Sequence, residues 1–232
     1  MKFIETKISD LIIIEPTVFG DTRGYFLESY NQKKFEEVIG KISFVQDNES
    51  KSSKGVLRGL HFQKPPYEQA KLVRCIEGEV LDVAVDIRKN SKTYGKHISV
   101  LLSGENKRQL FVPRGFAHGF LVLSDSATFA YKVDNTYAPD HDAGIRWKDK
   151  ELNIQWGMED SEVIVSEKDT ELPHMLVDIN SWEKIVSKMG IKMDDKIVVY
   201  DNSDVASSCR CWYNFIYFGH DPNLIHVLNG GI

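Results

Sequence analysis

The sequence contains few cysteines, no excess of positive charge and no long apolar run. Its three cysteines, Cys75, Cys209 and Cys211, do not form the pattern of a disulfide framework, and they indicate a reducing compartment. The formal net charge of −5 argues against a nucleic-acid-binding protein, which usually carries a basic excess. Since neither a secretory leader nor an apolar run of about 20 residues is recognisable, we expect a cytoplasmic protein that contacts no membrane.

The composition is that of a folded protein with a substantial core. The chain has 232 residues, of which 42% are hydrophobic and 27% are charged, and this length accommodates one large domain plus a smaller one. The pattern of the sequence changes near Pro173. We therefore predict a first domain over residues 1–173 and a smaller segment over residues 174–232.

Short strands with turn residues between them dominate the first domain. In the run Val80–Ile87, leucine, valine and isoleucine side chains alternate with Asp82, Ala84 and Asp86, which is the period of two of a β-strand. Further short runs of strand character occupy residues 97–102, 109–112, 120–123 and 128–133. Many short strands with little helix between them predict an antiparallel sandwich or barrel. One short helix is expected at Gln32–Ile39.

The C-terminal segment has a different pattern. Helices are predicted over residues 181–189 and about 204–218, and strands over residues 196–200 and 224–228. This alternation of helix and strand predicts a small α/β unit with a parallel strand pair.

Six stretches of polar residues and glycines mark the β region. They are residues 19–28 (FGDTRGYFLE), 46–48 (QDN), 55–63 (GVLRGLHFQ), 69–74, 112–120 (VPRGFAHGF) and 131–142. Their order and spacing resemble the dTDP-4-dehydrorhamnose 3,5-epimerase family over about residues 1–172. The resemblance implies a mainly β, cupin-type antiparallel jelly-roll barrel that forms homodimers, binds a nucleoside-diphosphate sugar and requires neither a metal nor another cofactor.

Inversion of a carbon beside a ketone requires three groups. A ketone at C4 of a hexose acidifies the hydrogens on C3 and C5, so a base must act on one face, an acid on the other, and a stabiliser at the enolate oxygen. An imidazole suits the role of base because it ionises close to neutral pH, and His61 lies within the third stretch. The resemblance implies Asp169 as the partner of His61, Tyr131 as the acid on the opposite face, and Lys71 as positive charge at the oxygen.

The same resemblance assigns a set of substrate-binding residues. Arginine and lysine suit a diphosphate because it offers several charged acceptors, and Asp142 stands where the better-known family members have glutamate. Strict alternation places Arg58 on the face opposite His61. Both can reach one pocket only if Gly59 marks a β-bulge or if the site spans two subunits. The full set is Arg23, Glu28, Gln46, Asn48, Arg58, Lys71, His118, Asp142 and Lys168.

A barrel of this kind can also serve functions other than epimerisation. Many metal-binding jelly rolls hold their ion through His-x-His, whereas this chain has His61-Phe62-Gln63 and therefore lacks one histidine, so no metal site is predicted. A non-catalytic sugar-binding protein would not require the set of His61, Lys71, Tyr131 and Asp169. Relatives on the same scaffold include single-site epimerases and keto-isomerases, and the sequence leaves these alternatives open.

The segment over residues 174–232 resembles part of a rhodanese (sulfurtransferase) domain. The resemblance is carried by residues 194–201 (DDKIVVYD), 210–212 (RCW), 218–220 (FGH) and 227–231 (VLNGG), and it covers only the middle of such a domain. Active members have a cysteine where this chain has Asp201. We therefore expect an incomplete domain without sulfurtransferase activity.

Overall fold

The chain divides into two compact units, Met1–Met175 and Leu176–Ile232. A computed structural model of the protein describes residues 1–175, 179–200 and 205–228. Within these ranges no helix is both long enough and apolar enough to cross a membrane. The three cysteines are free thiols.

The first unit consists mainly of short strands. Its helices are α1 (Gln32–Ile39) and the short α2 (Glu167–Thr170). Its strands are β1 (Lys2–Glu5), β2 (Ile12–Glu15), β3 (Val18–Asp21), β4 (Gly24–Leu27), β5 (Gln46–Ser53), β6 (Leu57–Gln63), β7 (Lys71–Glu77), β8 (Glu79–Asp86), β9 (His97–Ser103), β10 (Gln109–Val112), β11 (Phe116–Val122), β12 (Ser126–Val133) and β13 (Asp142–Gly144).

Two antiparallel sheets enclose the main core. One sheet has the order β1-β2-β10-β7-β12-β5 and the other the order β13-β6-β11-β8-β9. Buried side chains of both sheets pack in one cluster, including Val73 and Phe129 from the first and Ala84 and Phe120 from the second. Because strands adjacent in a sheet are distant in sequence, the arrangement is a jelly roll, and the predicted mainly β fold is confirmed.

Strand β8 follows its predicted pattern, but both of its faces are buried. Val83 and Val85 pack outward in a cluster with Trp147 and Trp156, which follow β13 in the sequence. Val80 and Ala84 point into the main core. Asp82 and Asp86 share the inner face with Ala84 and are completely buried. A carboxylate in such a position requires hydrogen-bonding partners.

Helix α1 spans the predicted residues, Gln32–Ile39. It begins at Asn31, whose side chain accepts a hydrogen bond from the backbone N–H of Lys34, which satisfies one of the free donors at a helix start. Phe35 is completely buried and packs against Ile14 and Leu72 on the outer face of the six-stranded sheet. The apolar stripe predicted from the sequence is therefore the contact surface of the helix.

Strands β3 and β4 form a separate two-stranded hairpin. The hairpin exposes large apolar side chains, with Phe19 at 62% and Phe26 at 68% exposure. Large exposed apolar patches are common at interaction surfaces.

The second unit contains α3 (Ile179–Lys188), β14 (Ile197–Val199), α4 (Val205–Tyr217) and β15 (Ile225–Val227). The two strands pair in parallel, with Ile197 opposite Ile225, so the predicted parallel pair is confirmed, while the element ends differ from the predicted ones by one or two residues. The assignment as an incomplete rhodanese-like segment stays a prediction. Asp201, on which the expected lack of sulfurtransferase activity depends, lies outside the described residues.

Candidate active site

A cavity of about 470 Å³ collects many of the predicted site residues from both sheets. They are Arg58 and His61 of β6, Lys71 of β7, His118 of β11, Tyr131 of β12, and Lys168 and Asp169 of α2. A larger cavity of about 700 Å³ lies beside Ile39 and Arg114 and contains none of the predicted residues. The cavity between the sheets is therefore the candidate active site.

A β-bulge at Gly59 brings Arg58 and His61 to the same cavity. His118 of β11 faces His61, and Phe120 faces Arg58, so the pairing register shifts between them. Gly59 has a φ of +144°, and a Cβ atom there would lie 2.6 Å from Cα of Gly119. Only glycine fits this close approach of two strands. The bulge that the sequence left as one of two alternatives is present.

His61 and Asp169 form a hydrogen-bonded pair. The Nε2 atom of His61 lies 2.7 Å from Oδ1 of Asp169, and Asp169 is 4% exposed. Asp169 is carried by α2, and its own N–H donates to Oγ of Ser166 at the start of that helix. Burial acts to raise the pKa of Asp169, but the hydrogen bond and charge of His61, together with Ser166 and the Gly59 backbone, hold it below its usual value. The carboxylate is therefore ionised at neutral pH.

Lys71 supplies a cation beside this pair. Its Nζ atom lies 3.5 Å from the carbonyl oxygen of His61. Burial lowers the pKa of Lys71 to about 8, and the charges of Asp82 and Asp142 oppose that shift. The ammonium is thus largely protonated at neutral pH and loses its charge in mildly alkaline solution.

A second histidine–carboxylate pair lies inside the barrel. Nε2 of His118 lies 3.0 Å and 2.9 Å from the two carboxylate oxygens of Asp82, and both side chains are buried. Sequence reasoning identified His118 but missed Asp82. The alternation of β8 places Asp82 on the face opposite Leu81 and Val83, but it does not show that this face lies inside the barrel.

Tyr131 belongs to the sheet opposite His61. Burial raises the pKa of its phenol, Asp142 adds to this effect, and the positive charge of Arg58 opposes it. The hydroxyl group therefore keeps its proton at neutral pH. Arg58 is held by a hydrogen bond of 3.1 Å from its Nε to Oγ of Ser52.

Asp142, Lys168 and Tyr137 form a polar cluster, the Tyr137–Asp142–Lys168 cluster. Lys168 and Asp142 are ion-paired, and the hydroxyl of Tyr137 donates to Oδ2 of Asp142 over 3.3 Å. The hydrogen bond to Asp142 raises the pKa of Lys168. Sequence reasoning missed Tyr137, because nothing in the local sequence indicates its contact with Asp142.

The remaining predicted residues lie in two other places. Gln46 and Asn48 are on β5, where the Gln46 amide donates to Oδ1 of Asn48 over 2.8 Å and Asn48 pairs with Tyr131 in the sheet. Arg23 and Glu28 belong to the hairpin and its end. Arg23 is ion-paired with Asp21, and Glu28 binds Lys34. Neither lines the cavity.

The position of the missing second histidine is occupied by a glutamine with a structural role. The Gln63 side chain donates to the carbonyl oxygens of Tyr67 and Thr136 and accepts from the N–H of Ala138. Among the described residues, no group of three or more histidine, cysteine, aspartate or glutamate side chains is arranged to hold a metal ion.

Comparisons with known proteins agree on one family. A sequence model of dTDP-4-dehydrorhamnose 3,5-epimerase matches residues 5–176. The chain is 60% identical over 170 residues to the Shigella flexneri dTDP-4-dehydrorhamnose 3,5-epimerase, covering 73% of this chain and 93% of that protein.

Solved structures give the same result. The Elizabethkingia anophelis dTDP-4-dehydrorhamnose 3,5-epimerase superposes with a TM-score of 0.73 at 56% identity, covering 75% of this chain and 96% of that one. A Legionella pneumophila dTDP-6-deoxy-D-glucose-3,5-epimerase, in complex with dTDP-4-keto-L-rhamnose, superposes with a TM-score of 0.71 at 47% identity, covering 76% of this chain and 99% of that one. The chain therefore belongs to the dTDP-4-dehydrorhamnose 3,5-epimerase family.

Proposed function

We propose that this protein inverts C3 and C5 of a dTDP-4-keto-6-deoxy-glucose to give the corresponding dTDP-4-keto-rhamnose. The observation that carries the proposal is a single cavity with the His61–Asp169 pair on one side and Tyr131 on the opposite sheet. The family membership supports the substrate, since the Legionella relative was solved with dTDP-4-keto-L-rhamnose.

His61 acts as the base in the first step. Its Nε2–H donates to the ionised Asp169, which leaves the lone pair on Nδ1 to take a proton from the carbon beside the ketone. The Asp169 carboxylate fixes this tautomer and stabilises the imidazolium that forms. The electron pair of the broken C–H bond moves toward the C4 oxygen and produces an enolate.

Lys71 and His118 stabilise the enolate oxygen. The ammonium of Lys71 is charged at neutral pH because its pKa is about 8, and its low exposure to water strengthens its interaction with a developing negative charge. Nε2 of His118 is fixed by Asp82 from within the barrel, so donation to the enolate oxygen comes from Nδ1 and requires a ring with both nitrogens protonated. A donor held in place before the reaction requires no reorganisation as charge develops.

Tyr131 completes the inversion. The phenol donates its proton to the carbon from the face opposite His61, which gives the inverted centre. His61 then releases its proton to solvent and the Tyr131 phenolate takes one up, so the net reaction is an isomerisation. The raised pKa of Tyr131 ensures that the phenol holds a proton to donate.

Further groups bind the nucleotide part of the substrate. Arg58 and Lys168 line the cavity and suit the diphosphate, while Asp142, Gln46 and Asn48 offer hydrogen bonds nearby. The role of each follows from its match to the family motifs, supported by its place on the wall of the cavity or beside it.

We infer a homodimer in which the β3–β4 hairpin of one subunit completes the pocket of the other. Two observations support this arrangement. Arg23 and Glu28 match the family's substrate-binding positions but lie outside the cavity of their own chain, and the hairpin that carries Arg23 exposes Phe19 and Phe26. The low cysteine content supports a cytoplasmic location.

Solvent exchange tests the proposed function. The protein is incubated in deuterated water with dTDP-4-keto-6-deoxy-glucose, and the deuterated carbons are located by NMR. Double epimerisation places deuterium at C3 and C5. His61→Ala abolishes exchange, and Tyr131→Phe impairs inversion more than exchange at C5, whereas His97→Ala, outside the cavity, serves as a control.

The alternatives give different results in the same experiment. Exchange at one carbon identifies a single-site epimerase, and movement of the ketone along the ring identifies a keto-isomerase. Binding without exchange at any carbon would refute catalysis and favour a sugar-binding protein.

A further inference from the structure

Gln63 lies on the strand of the proposed base and shares its face. Successive side chains of a strand point to opposite faces, so Gln63 points to the same side as His61, two positions earlier on β6. Gln63 is 5% exposed. A buried amide of this kind is retained only where its hydrogen bonds are satisfied.

The Gln63 amide binds the backbone on both sides of Tyr137. Nε2 donates to the carbonyl oxygen of Thr136 over 3.1 Å, and Oε1 accepts from the N–H of Ala138 over 2.7 Å. Nε2 also donates to the carbonyl oxygen of Tyr67 over 2.6 Å. One side chain of β6 therefore binds two loop segments, the one that leads into β7 and the one that follows β12.

A second amide reinforces the same junction. Nε2 of Gln69 donates to the carbonyl oxygen of Asn135 over 2.7 Å, and Asp134 accepts from the N–H of Ala70 over 2.7 Å. The backbone of residues 134–138 is thus held by buried or half-buried side chains. The side chain of Tyr137 itself is 56% exposed.

Tyr137 connects this junction to the cavity. Its hydroxyl donates to Asp142, which is ion-paired with Lys168, and Lys168 lines the cavity beside Asp169. We propose that Gln63 is a positioning residue, which holds the Tyr137–Asp142–Lys168 cluster in place for the nucleotide part of the substrate. This inference rests on the proposed function, because it requires that cluster to contact a sugar nucleotide.

Steady-state kinetics separate positioning from proton transfer. Gln63→Met preserves side-chain volume and removes all three hydrogen bonds, while Gln63→Glu keeps the acceptor for Ala138 but loses both donors. We expect KM to rise about tenfold in Gln63→Met, with kcat and the rate of solvent exchange within about threefold of wild type, because uniform binding is lost and not transition-state stabilisation. Gln63→Glu should show the same split.

Asn106 provides a matched control. Its amide also binds three backbone groups of a loop, at Leu101, Ser103 and Arg108, but that loop lies apart from the cavity. Asn106→Leu should leave KM within about twofold of wild type, since a general loss of loop hydrogen bonds would not alter substrate binding.

Coupling to Tyr137 decides whether Gln63 acts through that segment. In a Tyr137→Ala background, Gln63→Met should change KM by less than about threefold, because the contact that it positions is already absent. Each of three results would overturn the proposal. KM could be unchanged in both folded Gln63 variants, the effects of the two substitutions on KM could multiply in the double variant, or kcat could fall at constant KM.

Peptide-level hydrogen exchange distinguishes failure of this inference from failure of the proposed function. Without substrate, Gln63→Met should accelerate exchange in residues 134–141, and Asn106→Leu should not. If the wild-type enzyme incorporates no deuterium into a 4-keto sugar, the proposed function fails. If the backbone amides of residues 134–141 exchange equally slowly in wild type and in Gln63→Met, only the role of Gln63 is refuted.

Discussion

Asp169→Asn removes the charge that supports the proposed base while preserving the shape of the side chain. Asp169 is almost completely buried and bonds to His61 over 2.7 Å, so little water is present to replace the lost charge. A hydrogen bond to a charged group contributes about 1.5–3 kcal/mol. In the transition state, each loss of about 1.4 kcal/mol of stabilisation lowers a rate tenfold. Loss of this stabilisation of the imidazolium should therefore lower kcat by about 10- to 150-fold.

The assay is the rate of deuterium incorporation at saturating substrate. Asp160→Asn is the matched control, because Asp160 is exposed and lies 3.9 Å from Lys148, a separation at which an ion pair contributes little. It should leave kcat unchanged. The reasoning is refuted if Asp169→Asn, folded and binding substrate normally, retains more than half of the wild-type exchange rate.

The same variant has a defined effect on stability. Because the pKa of Asp169 is lowered in the folded protein, its contribution to the free energy of unfolding is present above the unfolded aspartate pKa of about 3.9 and is lost as the pH falls through the folded value. Asp169→Asn should therefore be less stable than wild type in urea at pH 7, and this difference should shrink as the pH falls below about 3.9. A difference that stays constant below that pH would contradict the assigned ionisation.

Three further predictions concern other parts of the molecule. In wild type, kcat should fall as the pH rises through about 8, where Lys71 loses its proton. In Lys71→Arg this fall should shift to higher pH by more than one unit, since arginine stays charged. If the fall stays at the same pH, a group other than Lys71 causes it. Gly59→Ala should lower the free energy of unfolding by about 2–4 kcal/mol, because Cβ would lie 2.6 Å from Cα of Gly119. Gly157→Ala, where φ is also positive but no atom lies within 4 Å of the added Cβ, should cost only about 1 kcal/mol, and equal costs in urea unfolding would contradict this account. A chain that ends after Met175, the last residue of the first unit, should keep kcat within about twofold of the full chain, and loss of activity in a folded dimer would show that the second unit contributes to the site.

Local patterning was sufficient to predict the elements with a regular apolar period. Helix α1 and strand β8 carry such a period, and both lie where the sequence places them. Strand β5 was recognised only as a polar motif. It is an edge strand whose alternate residues, from Gln46 to Ser52, are the less exposed ones, and a polar inner face has no apolar period to detect.

The assembly of the site depends on contacts that no local pattern contains. His61 and Asp169 are 108 residues apart in the sequence, and only the resemblance to a family connected them. The partner of His118 was missed because an aspartate on one face of a strand has the same pattern whether that face is solvent-exposed or, as for Asp82, inside the barrel. The bulge at Gly59 required the structure, since alternation alone placed Arg58 and His61 on opposite faces.

The division of the cavity between strands and connecting segments bears on how this scaffold can diversify. His61, Lys71 and Tyr131 stand on hydrogen-bonded strands, where a one-residue insertion would reverse every following side chain. Tyr137 lies in a loop, and Lys168 lies on a four-residue helix, where insertions and substitutions are tolerated more readily. Evolution or laboratory selection for a new nucleotide or sugar is therefore expected to accumulate changes in residues 134–142 and around Lys168, while the proton-transfer residues, including Asp169 on the same short helix, are inherited unchanged.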